Sequence, residues 1–318
     1  MKKMIAMMLA LVLVLSLAAC GGGTTKMTMG TGGTSGTYYA YGGVLGQYIN
    51  NKAGIEVVVV STDGSKANIQ SIDAGDYQLG TVQSDVLAYA WEGTRSFESE
   101  GKIDSFRVVA GLYAEAVQLI TMNPEIKTVA DLKGKSVSIG APGSGVYFNA
   151  VDVLAAAGLT ENDINAQYQS FSDSTDALKD GKIDAAFIVA GPPTPAITEL
   201  CTTNNAYLVP IDGEIADKLI ADCPFYTAYT IPAGTYAGQD TDVQTVTVKA
   251  TLIVSADASE DDVYNLTKAI FDNADAIAAE NAKGAELSIE NAVSGMAAPF
   301  HAGAAKYFAE KGVTVDVG

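Results

Sequence analysis

The sequence predicts an α/β fold built as two lobes, on three observations. Short β-branched runs alternate with helix-period segments, a glycine-rich strand-to-helix turn occurs twice, and about three hundred residues exceed the usual size of one core. The first turn is Gly30-Thr31-Gly32-Gly33-Thr34-Ser35-Gly36-Thr37-Tyr38-Tyr39 and its weaker copy is Gly140-Ala141-Pro142-Gly143-Ser144-Gly145-Val146-Tyr147. Both contain Ser-Gly-x-Tyr, and each joins a short apolar run to a helix-period run. A turn of that kind offers unpaired N–H groups and the positive end of a helix dipole, which together favour anions.

Residues 1–19 have the charged start and apolar core of a secretory signal, closed by Leu17-Ala18-Ala19-Cys20 in the form of a bacterial lipobox. The run is too short for a membrane-spanning helix. Cys20 is expected to carry lipid and residues 20–25 to form a flexible tether, which makes the chain extracytoplasmic and membrane-anchored. Cleavage removes Lys2 and Lys3, and two fewer positive charges take the formal net charge from −18 to −20. Nucleic acid and anionic headgroups are poor partners on that balance, and no nucleic-acid partner is expected. Arg95 and Arg107 are the only arginines, so hydroxyls and glycine N–H groups must do most of the work of holding an anion.

In the first lobe, Tyr41, Val44, Leu45, Tyr48 and Ile49 share one helical face over 38–51, and Gly54 closes that helix. Residues 55–60 read as a strand covered on both sides in a parallel sheet, 65–74 as a helix, and 77–82 as the next strand. Gln83-Ser84-Asp85 then marks the start of a helix through Val86, Leu87 and Trp91. Residues 106–122 form a long apolar stretch, interrupted by Glu115, suited to a strand that crosses between lobes.

The second lobe repeats the plan: strand and turn over 136–145, helix over 146–157, strand over 166–171, helix over 174–179 and strand over 183–189. Ile72-x-x-Gly75-x-x-x-Leu79-x-x-Val82 overlies Leu178-x-x-Gly181-x-x-x-Ala185-x-x-Ile188, which extends the repeat. Gly191-Pro192-Pro193-Thr194 is a second cleft-facing turn. A helix ending over 199–203, a strand over 206–210, a helix over 212–222 and extended segments at 227–232 and 245–254 follow. Ser259 is expected to cap one long helix whose Val263, Leu266, Ile270 and Ile277 dock on the first lobe. The lobes are therefore expected to comprise 26–115 with 240–318, and 116–239.

Catalytic constellations are sparse. His301 is the only histidine and reads as a packing or surface residue; no nucleophile elbow, His-Glu-x-x-His pair or phosphate loop is present, and neither a metal nor a cofactor is expected. The third glycine of a dinucleotide turn falls on Ser35. Aromatics beside a glycine turn often only cover a helix start, yet Tyr38, Tyr39, Tyr147 and Tyr226 would bring hydroxyls and apolar walls to a cleft. Asp85 either orients a ligand amine or caps its helix. Cys201 and Cys223 either pair outside the cytoplasm or stand as two buried thiols.

Taken together, the Gly30–Tyr39 turn, Val82-Gln83-Ser84-Asp85, Ala130-Asp131-Leu132-Lys133-Gly134-Lys135, the Gly140–Gly145 turn, Asp184-Ala185-Ala186-Phe187 and Ile231-Pro232-Ala233-Gly234-Thr235-Tyr236 resemble the TAXI-family solute receptors of TRAP transporters over nearly all of the mature chain. The resemblance implies a two-lobed periplasmic-binding-protein fold, type II-like, with strand crossovers at the hinge, which closes on glutamate, 2-oxoglutarate or a similar dicarboxylate. The bound solute would pass to an ion-gradient-driven TRAP permease. The solute-facing residues it implies are Gly33, Thr34, Ser35, Tyr38 and Tyr39, Gln83 and Ser84, Ser144, Gly145 and Val146, and Pro193 and Thr194. Ala40 stands where relatives often have proline. A monomer without enzymatic activity is expected; a receptor for an ATP-driven importer or sensor, and a secreted enzyme on the same scaffold, are the alternatives.

Overall fold

The computed structural model describes residues 24–318; the expected leader and Cys20 lie outside the described residues. Strand β1 (Thr25–Gly30) leads into helix α1 (Thr37–Lys52), then β2 (Ile55–Val60), α2 (Ser65–Asp73), β3 (Leu79–Gln83) and α3 (Ser84–Glu92). β1 lies between β2 and β3 and is parallel to both. The second half repeats this arrangement as β5 (Ser136–Ser138), α4 (Val146–Ala156), β6 (Asn165–Gln167), α5 (Phe171–Lys179), β7 (Ala185–Ala190) and α6 (Pro195–Thr203). There β5 lies between β6 and β7, again parallel to both. The repeat suggested by two glycine turns is thus a repeat of topology.

Two long strands join the halves. β4 (Phe106–Thr121) and β10 (Val243–Ser255) run antiparallel, and the path across the sheet is β2-β1-β3-β10-β4-β7-β5-β6. The first part of β4 packs in one core with Tyr41, Leu45, Ile49 and Ile253, whereas Val117 and Leu119 join a second core with Val137, Val153 and Phe187. β10 pairs with β3 at one end and with β9 (Thr227–Ile231) at the other. Its register shifts against β4 between Lys249 and Thr251, just where it leaves one core for the other. Such irregularities let a ladder bend. β8 (Tyr207–Val209) lies along the remaining edge of β4, and α7 (Gly213–Asp222) covers the second core.

Three expectations need correction. The return to the first lobe does not fall at residue 240: Val246 and Val248 pack in the second core, and the first core resumes at Ala250. Phe171 is the first residue of α5 and not the end of a strand. Ser170 accepts a hydrogen bond from the Asp173 N–H, and this cap outweighs the apolar character of 166–171. The long C-terminal helix is two helices, α8 (Glu260–Phe271) and α9 (Ala274–Glu280). Asn273 donates to the Ala269 carbonyl and Asp272 is drawn to Tyr307 and Lys311, which ends α8, although Ile277 is still buried. α10 (Ile289–Val293) and α11 (Ala302–Glu310) complete the chain, and His301 caps α11 through Nδ1.

Both thiols are free. Cys201 is buried on α6 and Cys223 packs at the end of α7, on different cores. Among the described residues no helix is long and apolar enough to cross a membrane.

Asn68 ties the first lobe together beneath the glycine turn. Its amide donates to the carbonyls of Thr31 and Thr81 and its oxygen accepts from the Thr62 hydroxyl, with the side chain fully buried. Asn68→Ala should cost about 1–3 kcal/mol in denaturant unfolding, because the buried Thr81 carbonyl loses its Asn68 donor while the Thr31 carbonyl keeps only the Thr62 hydroxyl. A loss below about 0.5 kcal/mol would show that these bonds are replaced by others.

Candidate functional site

Every helix that follows a parallel strand begins at the same end of the sheet, so the glycine turns of both halves point into one space. Between them lies a cavity of about 350 Å³. The N-termini of α1, α2, α4 and α5 all reach its wall. Gly36, Gly64 and Gly145 occupy the N-cap positions of the first three, and none supplies a capping side chain. The opening N–H groups of α2 are partly satisfied from the other lobe, since Lys66 and Ala67 donate to the Gly143 carbonyl at 3.1 and 3.3 Å. In α4 the Phe148 N–H turns back to the Gly145 carbonyl, but those of Val146 and Tyr147, like those of Thr37 to Tyr39 in α1, have no backbone partner among the described residues, with the positive ends of both helix dipoles behind them.

The halves are closed on one another. The Thr37 hydroxyl donates to the Gly191 carbonyl at 2.7 Å, and the Ala196 N–H donates to the Ser35 carbonyl at 3.0 Å. Gly145 meets the first lobe so closely that a Cβ there would lie 1.4 Å from Gln83 Oε1 and 2.7 Å from Val86 Cγ2. Arg95 forms an ion pair with Asp152 at 2.7 Å and lies over the rings of Tyr89 and Phe148. A buried chain of hydrogen bonds runs beneath. Gln83 Nε2 donates to Asn149 Oδ1, and Asn149 Nδ2 donates to Asp85 Oδ2 and to the Tyr226 oxygen, whose own hydrogen goes to Asp152.

Seven of the residues expected to face a solute line this cavity: Gly33, Thr34, Tyr38, Gln83, Ser144, Gly145 and Val146. Eight lie away from it. The Ser35 carbonyl serves Ala196, Tyr39 is turned to solvent, and the Ser84 hydroxyl accepts from the Lys249 N–H. Asp85 and Tyr226 belong to the buried chain just described, and Tyr147 donates to Glu161. Pro193 is exposed, while the Thr194 hydroxyl accepts from Gln118. The cavity also takes in Asp63 to Ser65 between β2 and α2 and Gln169 to Ser172 at the start of α5, which the sequence did not single out, and Glu115 on β4, which it marked only as an interruption of an apolar run.

Glu115 is almost fully buried, and its Oε2 accepts the Tyr38 hydroxyl at 2.7 Å. Burial pushes its carboxyl up to about 8; the Tyr38 hydrogen bond opposes that rise and the Asp85 charge adds to it. Burial likewise lifts Asp85 to about 6 against the pull of Asn149. A carboxyl whose folded-state value lies above its unfolded one binds a proton on folding. Its stabilising contribution is therefore complete below the ordinary 4.5 and is lost as pH rises through about 8. The thermal midpoint should accordingly fall between about pH 6 and pH 8, above the range where Asp85 titrates, and Glu115→Gln should flatten that fall. An equally steep decline in the variant would mean that Glu115 does not titrate there.

Residues 29–312 match the model of the NMT1-like family. Among solved structures, a protein of Bordetella bronchiseptica is similar at a TM-score of 0.55 and 19% identity, over 81% of this chain and 76% of its own. The alkanesulfonate-binding protein SsuA of Xanthomonas axonopodis pv. citri, bound to MOPS, gives 0.51 and 19% over 84% and 80%. A ligand-binding component of an ABC-type import system from Staphylococcus aureus gives 0.52 and 9% over 93% and 86%. The architecture is thus the two-lobed α/β fold of periplasmic binding proteins. With nearly the whole described length matched, the chain belongs to the NMT1-like family.

Proposed function

We propose that this protein is the extracytoplasmic receptor of a solute importer, that it closes on a small organic anion between its lobes, and that it is not an enzyme. One observation carries the reading. Helix N-termini capped by glycines from both lobes meet at one cavity, so an anion seated there is held by N–H groups of both lobes at once. Contact with both lobes is what lets a solute stabilise the closed arrangement. The lobes are taken as 26–115 with 250–318, and 116–249, joined where β4 and β10 cross. Within this reading, glutamate, 2-oxoglutarate or a related dicarboxylate is the solute, Gly33, Thr34, Tyr38, Gln83, Ser144, Gly145 and Val146 contact it, and a lipid on Cys20 holds the receptor at the membrane. The motif resemblance supports delivery to a TRAP permease. A second reading, delivery to an ATP-driven importer, is favoured by the ABC-type description of a structural neighbour. Uptake by proteoliposomes separates the two: a sodium gradient without ATP should suffice for the first, and uptake strictly dependent on ATP would establish the second.

Calorimetry on the mature protein should find a tight solute among amino acids, dicarboxylates and 2-oxo acids. A ligand at a hundred times its Kd adds about 2.7 kcal/mol of stability, so thermal shift serves as the first screen. Binding confined to neutral sugars would remove the role assigned to the helix N-termini. Gly145→Val should abolish binding while leaving both lobes folded by circular dichroism, because the added side chain meets Gln83 and Val86 and holds the cleft open. Arg95→Ala should weaken affinity about two- to tenfold without removing a solute contact, by reducing the population of the closed form. Unchanged affinity in the Arg95 variant would show that the ion pair with Asp152 contributes nothing to closure.

A further inference from the structure

We infer that the cavity selects solutes that carry a protonated amine beside their anionic group, and that Glu115 is the residue that recognises the amine. This rests on the anion-receptor reading above and narrows it to zwitterions. The walls of the cavity hold two carboxylates, Asp63 and Glu115, and no lysine or arginine among the described residues that line it. Asp63 is exposed, but Glu115 is only 1% exposed. A solute bearing only negative charge is drawn by the helix N-termini but leaves this carboxyl protonated and without a charged partner. A zwitterion meets both.

The acceptor atoms agree. Glu115 spends Oε2 on Tyr38, and Oε1 has no hydrogen-bond partner among the described residues. The orientation of the Gln83 amide is fixed from beyond. Asn149 must donate to the Asp85 carboxylate, so its oxygen accepts from Gln83 Nε2, and Gln83 Oε1 is packed onto Gly145, which leaves Glu115 Oε1 as the acceptor for the amine. An ammonium group has three donors and no acceptor, so it suits the free Oε1 of Glu115 on a wall that offers no competing cation. Lys283, the lysine whose charge acts on Glu115, is committed elsewhere: its Nζ lies 2.6 Å from Glu286 Oε1, and the other oxygen of Glu286 accepts the Ala114 N–H. The pairing of Glu115 with a solute amine would therefore be charge-assisted and shielded from water, the setting in which such bonds discriminate best.

Calorimetry with matched pairs tests this at pH 7: L-glutamate against 2-oxoglutarate and glutarate, L-aspartate against succinate, and taurine against ethanesulfonate. The amine-bearing member of the binding pair should bind at least about tenfold tighter than its partner, and Glu115→Gln should remove about 10- to 100-fold of that affinity while barely changing binding of the deaminated member. Glu115→Asp should retain part of the preference, which a merely structural role would not produce. Deaminated members that bind as tightly as the amines, with Glu115→Gln without effect, would overturn the inference and leave the anion receptor standing. Failure of every member of every pair to bind would overturn the receptor reading for organic anions and this inference with it.

Discussion

The constraint on which the structure depends is that a parallel strand can only be followed by another through a crossover helix, and that each such helix starts at the carboxyl end of the sheet. Applied twice, in β1-α1-β2-α2-β3 and in β5-α4-β6-α5-β7, it collects helix N-termini at one end of each half. The two shared strands then turn those ends toward each other. β4 and β10 are long enough to enter both cores, and their antiparallel pairing carries one sheet through the molecule. The cavity follows from topology, and its glycines follow from the cavity. A side chain at Gly145 would hold the lobes apart, and a capping side chain at Gly36 or Gly145 would consume the N–H groups that an anion needs.

The polar interior divides the work. Asp85, Asn149, Tyr226 and Asp152 form a chain from one lobe to the other that excludes solvent behind the cavity, and Arg95 closes it at the surface. Glu115 with Tyr38 stands at the front, on the wall. A buried carboxyl without a cation beside it is costly, which is why its proton is held so far above the ordinary range. In a receptor of this kind the cost is tolerable if the solute supplies the missing charge on closure.

Much of the fold was legible because the chain uses strong local signals. Residues 55–60 form a strand with the bounds read from the β-branched run, and the two Ser-Gly-x-Tyr turns do sit at equivalent places in the topology. The misplaced elements are those in which a side-chain cap competes with hydrophobic pattern, as Ser170 does before Phe171. The site was legible only where the repeat marked it. Tyr38 and Tyr39 are adjacent on a helix and so point about 100° apart, which sends one to Glu115 and the other to solvent. Tyr147 holds the position equivalent to Tyr38, yet it finds Glu161 and leaves the cavity. Asp63 to Ser65 and Gln169 carried no repeated signal. Glu115 did carry one, a single carboxylate in a sixteen-residue apolar strand, but its neighbours across the cleft come from distant parts of the chain.

The most direct measurement of the central claim is hydrogen exchange on the mature protein with and without a saturating anionic solute. If the solute is held by helix N-termini from both lobes, the amides of residues 33–39 and 144–148 gain protection together. The amides of α8 and α11, on the outer side of the first core, should stay unchanged. Protection in only one of the two glycine turns, or in neither while the solute is bound, would contradict the account.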